Sequence, residues 1–148
     1  MKSHDIGLYE KELAPQLKEL EIAILKSLKE HILDRDIKIH SVSSRVKTTE
    51  SLAQKITRPD RSYEDLFDIT DLLAFRIITY SEDIITDVAG MIESLFKVDY
   101  SNSVNKLQYD DLQRFGYRSL HYICGLPKDS QNDSIPSTFR FEIQIRTI

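Results

Sequence analysis

With 148 residues, 41% of them hydrophobic and 30% charged, the chain has apolar material for one ordinary globular core and too little length for two. A net charge of −4 argues against a surface that is a nucleic-acid footprint as a whole. The apolar runs are far short of a membrane span and the start lacks a signal-peptide pattern, so the expectation is a cytoplasmic protein with no membrane partner.

The amino-terminal third reads as helix. Leu13, Leu17, Leu20, Ile24, Leu28 and Ile32 recur at steps of three and four with Lys and Glu between them, which predicts an amphipathic helix from about Leu8 to Leu33 lying across a sheet. Residues 1–36 are thus expected to form a helical segment ahead of a domain over 37–148. Ile37-Lys38-Ile39 and Val42 to Val46 carry β-branched residues in partial alternation, a strand whose end delivers Arg45 and Lys47 to one face. Thr48 or Thr49 then caps a short helix with Glu50 in its first turn, and Pro59 ends it. Within it Ser51 and Lys55, four apart, share a face. Arg45, Lys47, Lys55, Arg58 and Arg61 fall within 17 residues, and such a basic pocket in an acidic protein suits a small polyphosphate better than a long nucleic acid.

Ser62 to Phe67 reads as another short helical piece. Leu72 to Tyr80 is almost continuously apolar and predicts a central buried strand. Arg76 interrupts that run, and a buried arginine must be paired or bound; Asp71 is the nearest acid, although a separation of five puts the two on opposite faces. Ser81 with Glu82 and Asp83 caps the next helix, whose buried stripe is Ile84, Val88, Ile92 and Leu95 or Phe96. The polar segment from Ser101 to Lys106 reads as a mobile loop. Ser119 to Leu126 is a further strand, in whose apolar run the single cysteine, Cys124, is expected as a buried thiol with no disulfide or zinc role. Pro127 to Ser137 is a connection, and Thr138 to Thr147 the final strand. In this last strand Phe139, Phe141, Ile143 and Ile145 face one way, Arg140, Glu142, Gln144 and Arg146 the other. One face packs and the other is chemical enough to bind. The element order predicts a single-domain α+β (α/β layered) fold, a mixed sheet flanked by helices.

Four separated motifs then occur together: Arg45-Val46-Lys47 with Ser51 and Lys55; Asp71-Leu72-Leu73-Ala74-Phe75-Arg76; Gly116-Tyr117-Arg118-Ser119-Leu120-His121; and Glu142-Ile143-Gln144-Ile145-Arg146-Thr147. In this order they resemble the synthetase domain of the RelA/SpoT-type alarmone synthetases, over about Arg45 to Thr147. The resemblance implies a nucleotidyltransferase-like fold and a GTP pyrophosphokinase. Such an enzyme moves the β,γ-pyrophosphate of ATP to the 3'-hydroxyl of GDP or GTP, making (p)ppGpp in stringent-response signalling. It further implies that Arg45 and Arg76 sandwich adenine, that Lys47, Ser51 and Lys55 hold the ATP phosphates, and that Asp71 and Glu142 bind Mg2+. Glu142 would also draw the proton from the attacking hydroxyl. Gly116, Tyr117 and Arg118 would form the acceptor loop, with Tyr117 stacked on guanine. His121, Gln144 and Arg146 would line the acceptor and phosphate side.

Two departures keep alternatives open. Where many members of the family carry a basic, asparagine-containing run before the Gly-Tyr pair, this chain has Tyr109-Asp110-Asp111-Leu112-Gln113-Arg114-Phe115. That version is similar to toxin-type members that modify the 3' end of tRNA, which makes tRNA the alternative acceptor; a non-catalytic nucleotide-binding remnant is the third reading. The chain also stops at Ile148, directly after the last motif. Members of the family continue there into a helix that closes the domain and, in small members, helps oligomerise, so truncation is expected and homo-oligomer formation stays open.

Overall fold

The computed structural model describes residues 3–60, 62–105, 119–127 and 135–148. The predicted amino-terminal helix is present but in two parts, α1 (Ser3–Leu8) and α2 (Ala14–Asp34), joined through a π-helical turn at Tyr9–Leu13. The cause is local. Pro15 sits in the first turn of α2 and offers no N–H, so the regular ladder breaks, and the Ala14 N–H bonds to the Tyr9 carbonyl five residues back. The stripe read from the sequence is the face that packs, with Leu13, Leu17, Ile24, Leu28 and Ile32 buried. Each such side chain contributes about 1.5–3 kcal/mol. No helix among the described residues is long and apolar enough to cross a membrane.

Six strands form one mixed sheet: β1 (Ile39–Val46), β2 (Leu73–Thr79), β3 (Lys97–Val98), β4 (Val104–Asn105), β5 (Ser119–Gly125) and β6 (Arg140–Thr147). They lie in the order β1-β2-β6-β5-β3, with β4 also paired to β5. The β2–β6 pair is parallel and the others antiparallel. Helices α3 (Thr49–Ile56) and α4 (Glu82–Leu95) complete the described set, together with 3-10 turns at Leu66–Asp68 and Tyr100–Asn102. α2 packs on β1 and β2, α4 on β6 and β2. Under them Phe75, Ile77, Phe141, Ile143 and Ile145 form a dry face. Phe141 meets Phe75 and Phe96 edge-on and stacks on Phe139. Cys124 is buried as expected, and burial pushes its thiol up to about 12, which keeps it inert.

Four sequence expectations change. Arg76 is exposed, because the helices cover only one face of β2 and Arg76 stands on the other; its side chain meets Gln144 rather than Asp71. Ser62 to Phe67 yields only the 3-10 turn Leu66–Asp68, since the carboxylates of Asp65 and Asp68 bond the nearby backbone N–H groups and cap the turn on itself. Of the predicted α4 stripe Val88, Ile92 and Phe96 are buried while Ile84 and Leu95 are only partly so, and Ile85, Ala89 and Met91 widen the buried face beyond the stripe read from the sequence. The segment read as a mobile loop is largely ordered up to Asn105.

Asp99 supplies that order. Its carboxylate accepts hydrogen bonds from Arg140 at 2.6 Å, Asn102 at 2.7 Å and Ser101 at 2.8 Å. Its carbonyl accepts from the Ser103 hydroxyl, which in turn accepts from the Ile123 N–H on β5. The donors from Asn102, Ser101 and Arg140 hold the Asp99 carboxyl well below its ordinary value of 3.8. A carboxyl whose folded pKa is depressed contributes stability above the unfolded value, and that contribution is lost as pH falls toward the folded one. The gap in urea midpoint between wild type and Asp99→Asn is therefore expected to be widest near neutral pH and to close below about pH 4. A gap that stays constant across a pH series would show that the carboxylate charge is not what matters.

Candidate active site

Because helices cover only one face, the opposite face of the sheet presents its side chains in register. Ser43 on β1 pairs with Arg76 on β2, Arg76 with Gln144 on β6, and Gln144 with His121 on β5. The next row is Arg45, Ala74 and Glu142. Residues of all four motifs thus meet on four adjacent strands, each strand spacing being about 4.8 Å.

Between β1 and β2 this face forms an open cleft of about 350 Å³ lined by Ser43, Ser44, Arg45, Ala74, Arg76 and Gln144. Arg45 and Arg76 both line it, beside a small alanine. Arginine is the cation suited to an aromatic ligand, since the planar guanidinium stacks on a π-face. Arg76 Nε donates to Gln144 Oε1 at 3.3 Å, which orients the guanidinium over the cleft.

A second recess, of about 180 Å³, opens at the end of β1 and is lined by Lys47, Ser51, Gln54, Lys55, Arg58 and Asp71. The local sequence builds it directly. β1 ends at Val46, and the Thr48 hydroxyl caps α3 by accepting from the Ser51 N–H. Lys47 is left in the junction with its side chain turned inward and only 5% exposed. Lys47 Nζ lies 3.0 Å from Asp71 Oδ2, Lys55 Nζ 2.8 Å from Asp71 Oδ1, and Arg45 Nη2 3.8 Å from Asp71 Oδ2. Burial pushes the Asp71 carboxyl up, but hydrogen bonds and charge from Lys55 and Lys47 outweigh it and hold the group below its ordinary value. Three cations share one carboxylate, and Arg58 lines the same recess. In a chain of net charge −4 this is a focused positive site, and the species that neutralises it best carries several negative charges close together.

Glu142 lies across Ala74 from Arg45, and Arg45 in turn reaches Asp71 of the recess. His121 Nδ1 is 3.5 Å from Glu142 Oε1, and Gln144 Nε2 is 3.3 Å from the same atom. Gln144 therefore bridges the cleft and the carboxylate, bonding Arg76 on one side and Glu142 on the other. Arg146 stands opposite Ser119 at the far end of β6. Gly116, Tyr117 and Arg118 lie outside the described residues, as do Asp110 and Asp111.

The structure therefore brings Arg45, Lys47, Ser51, Lys55, Asp71, Arg76, His121, Glu142 and Gln144 onto one face and its rim. It adds residues the motifs did not single out. Gln54 joins the recess one helical turn beyond Ser51, a spacing that could have flagged it, and Arg58, which the basic cluster in the sequence already included, lines it too. Tyr9 reaches the recess from the amino-terminal helix: its hydroxyl donates to the Lys47 carbonyl. Nothing in the sequence marks that contact, since Tyr9 lies at the start of the predicted helix, ahead of the stripe that begins at Leu13.

Comparison with known proteins gives the same picture. Residues 44–148 match the family model described as a region found in RelA / SpoT proteins. Among solved structures, the small alarmone synthetase 2 of Bacillus subtilis superposes with a TM-score of 0.74 at 25% identity, over 95% of this chain and 73% of that one. The small alarmone synthetase 1 of Bacillus subtilis gives 0.68 at 27% identity, over 95% and 71%. A structure of that protein bound to its product pppGpp gives 0.70 at 26% identity, over 96% and 73%. No curated protein matches the chain. With the family model spanning most of its length and the motif residues gathered on one sheet face, the chain belongs to the RelA/SpoT family.

Proposed function

We propose that this chain is a pyrophosphokinase that uses ATP as donor and GDP or GTP as acceptor, making (p)ppGpp. The observation that carries the reading is the grouping of three parts: a cleft lined by Arg45 and Arg76 that suits a base, a lysine-lined recess that suits a polyphosphate and is joined to the cleft through Arg45, and the Glu142 carboxylate, held by Gln144 of that cleft. The similarity to small alarmone synthetases, one of them bound to pppGpp and one to AMPCPP, supports it.

In this reading adenine lies between Arg45 and Arg76 and the triphosphate runs into the recess of Lys47, Ser51, Lys55 and Arg58. The acceptor 3'-oxygen attacks the β-phosphorus. The new bond joins that oxygen to the β-phosphorus, the bond from the β-phosphorus to the α,β-bridging oxygen breaks, and AMP leaves. Glu142 takes the hydroxyl proton, with His121 and Gln144 fixing its carboxylate. Transfer of this kind needs little covalent chemistry from the protein beyond positioning and charge. Tyr117, Gly116 and Arg118 belong to the acceptor side, with Arg146 beside it.

The donor set also fits Mg2+, which Asp71 and Glu142 would hold. Among the described residues no three His, Cys, Asp or Glu side chains converge. That suits a hard cation that relies on water and substrate phosphates more than on a protein cage. When bound, it neutralises charge on the phosphates.

The test is thin-layer chromatography of the chain incubated with Mg2+ and γ-labelled ATP plus GDP, GTP or deacylated tRNA in parallel. Label in a guanosine polyphosphate is the expected result. Label on tRNA would overturn the acceptor, and no transfer to any of them would overturn the enzymatic reading.

A further inference from the structure

We propose that Tyr9 is a positioning residue for the polyphosphate recess, and that the amino-terminal helix is in this way part of the donor site. The inference rests on the donor assignment given above for that recess.

Lys47 belongs neither to β1 nor to α3; it is the single residue between Val46 and the cap Thr48. The direction of its side chain therefore depends on how its own peptide groups are held. Two bonds hold them. The Lys47 N–H donates to the Leu72 carbonyl at 2.8 Å, next to Asp71, and the Lys47 carbonyl accepts from the Tyr9 hydroxyl at 2.5 Å. The first bond ties Lys47 to the entry of β2 and the second to a helix 38 residues earlier in the chain. Between these two anchors the ammonium is set 3.0 Å from Asp71 and 3.4 Å from the Ser51 hydroxyl.

Tyr9 is suited to this use. It is fully buried, and a buried phenol needs a partner for its hydroxyl. Its ring packs within the same core cluster as Leu13 and Leu52, so its position is determined by packing and not by the hydrogen bond alone. It opens the π-helical turn beside Pro15, and single π-helical turns are frequent at functional sites. The family match begins at residue 44, so neither the motifs nor the family region includes it.

Tyr9→Phe removes the hydroxyl and keeps the ring. Leu13→Ala, on the same buried face, weakens helix packing and leaves the Tyr9–Lys47 bond in place. Each is compared with wild type by thermal unfolding, by calorimetric binding of α,β-methylene ATP, and by steady-state kinetics with donor and acceptor varied separately. For Tyr9→Phe, affinity for the ATP analogue and kcat/KM for ATP are expected to fall about fivefold to tenfold, as for one lost hydrogen bond. KM for the acceptor should stay within twofold of wild type. Leu13→Ala should lower the melting temperature and leave analogue affinity unchanged. Equal loss in both variants, or no change in analogue affinity for Tyr9→Phe, would reduce Tyr9 to a core residue and overturn the proposal. Wild-type binding of the analogue without pyrophosphate transfer would overturn the proposed function while the Tyr9 comparison still stands on binding. No binding by wild type would overturn both.

Discussion

Glu142→Gln should lower pyrophosphate transfer by about 10²–10⁴-fold, the range for loss of a positioned general base, with little effect on stability or on binding of an ATP analogue. The substitution keeps the size of the side chain and an oxygen able to accept from Gln144, so the geometry of β6 is retained. It removes the negative charge, and with it the basic site that the proposed reaction uses to take a proton. The face that Glu142 occupies carries no core packing, which lies with Phe141 and Ile143 on the other side. Stopped-flow or quench measurement of a single turnover, alongside thermal unfolding, checks this. Turnover within tenfold of wild type would give the proton-accepting role to another group.

Asp71→Ala should lose both activity and stability. From sequence alone, removal of Asp71 is expected to spare the fold. The structure shows otherwise, because Asp71 is the shared counter-charge of Lys47, Lys55 and Arg45. Lys47 is almost fully buried and its attraction to Asp71 balances its loss of hydration. Removing one partner of such a pair leaves an uncompensated charge and costs about 3–5 kcal/mol, with repulsion among the three cations adding to it. Urea unfolding of Asp71→Ala is expected to show a loss near the lower end of that range, since the recess opens to solvent. Saturating ATP analogue should recover part of the loss, because its phosphates replace the missing negative charge. An unchanged urea midpoint would mean that solvent already screens Lys47, and that the recess is wetter than its geometry implies.

These two carboxylates differ in a way that bears on function. Glu142 is held by neutral or weakly basic neighbours on a strand and can lose its charge without strain on the fold. Asp71 neutralises part of a cation cluster that would otherwise repel itself, so the recess is held together by a group placed among its cations. The phosphates of a bound nucleotide would complete that neutralisation, and the net positive charge the cluster keeps is the reason a polyanion is favoured there.

The alternation in residues 139–146 determined a strand with one packing face and one chemical face, because side-chain direction in a strand follows from position parity alone. The spacing of Ser51 and Lys55 on a capped helix likewise determined that the two share a face, and the four motifs in order determined the family. Those are local properties. Partner choice across the sheet is not local: the parallel insertion of β6 between β2 and β5 put Gln144 against Arg76 and Glu142 beside Arg45's row, although the strands lie far apart in the chain. The exposure of Arg76 was decided the same way, since an apolar run reads as buried on both faces until the layer of helices is seen to cover only one. The Tyr9–Lys47 bond depends on where a π-helical turn places one hydroxyl relative to a strand end. Periodicity encodes which side of an element is apolar. Only the packed structure decides what that side, and the opposite one, come to touch.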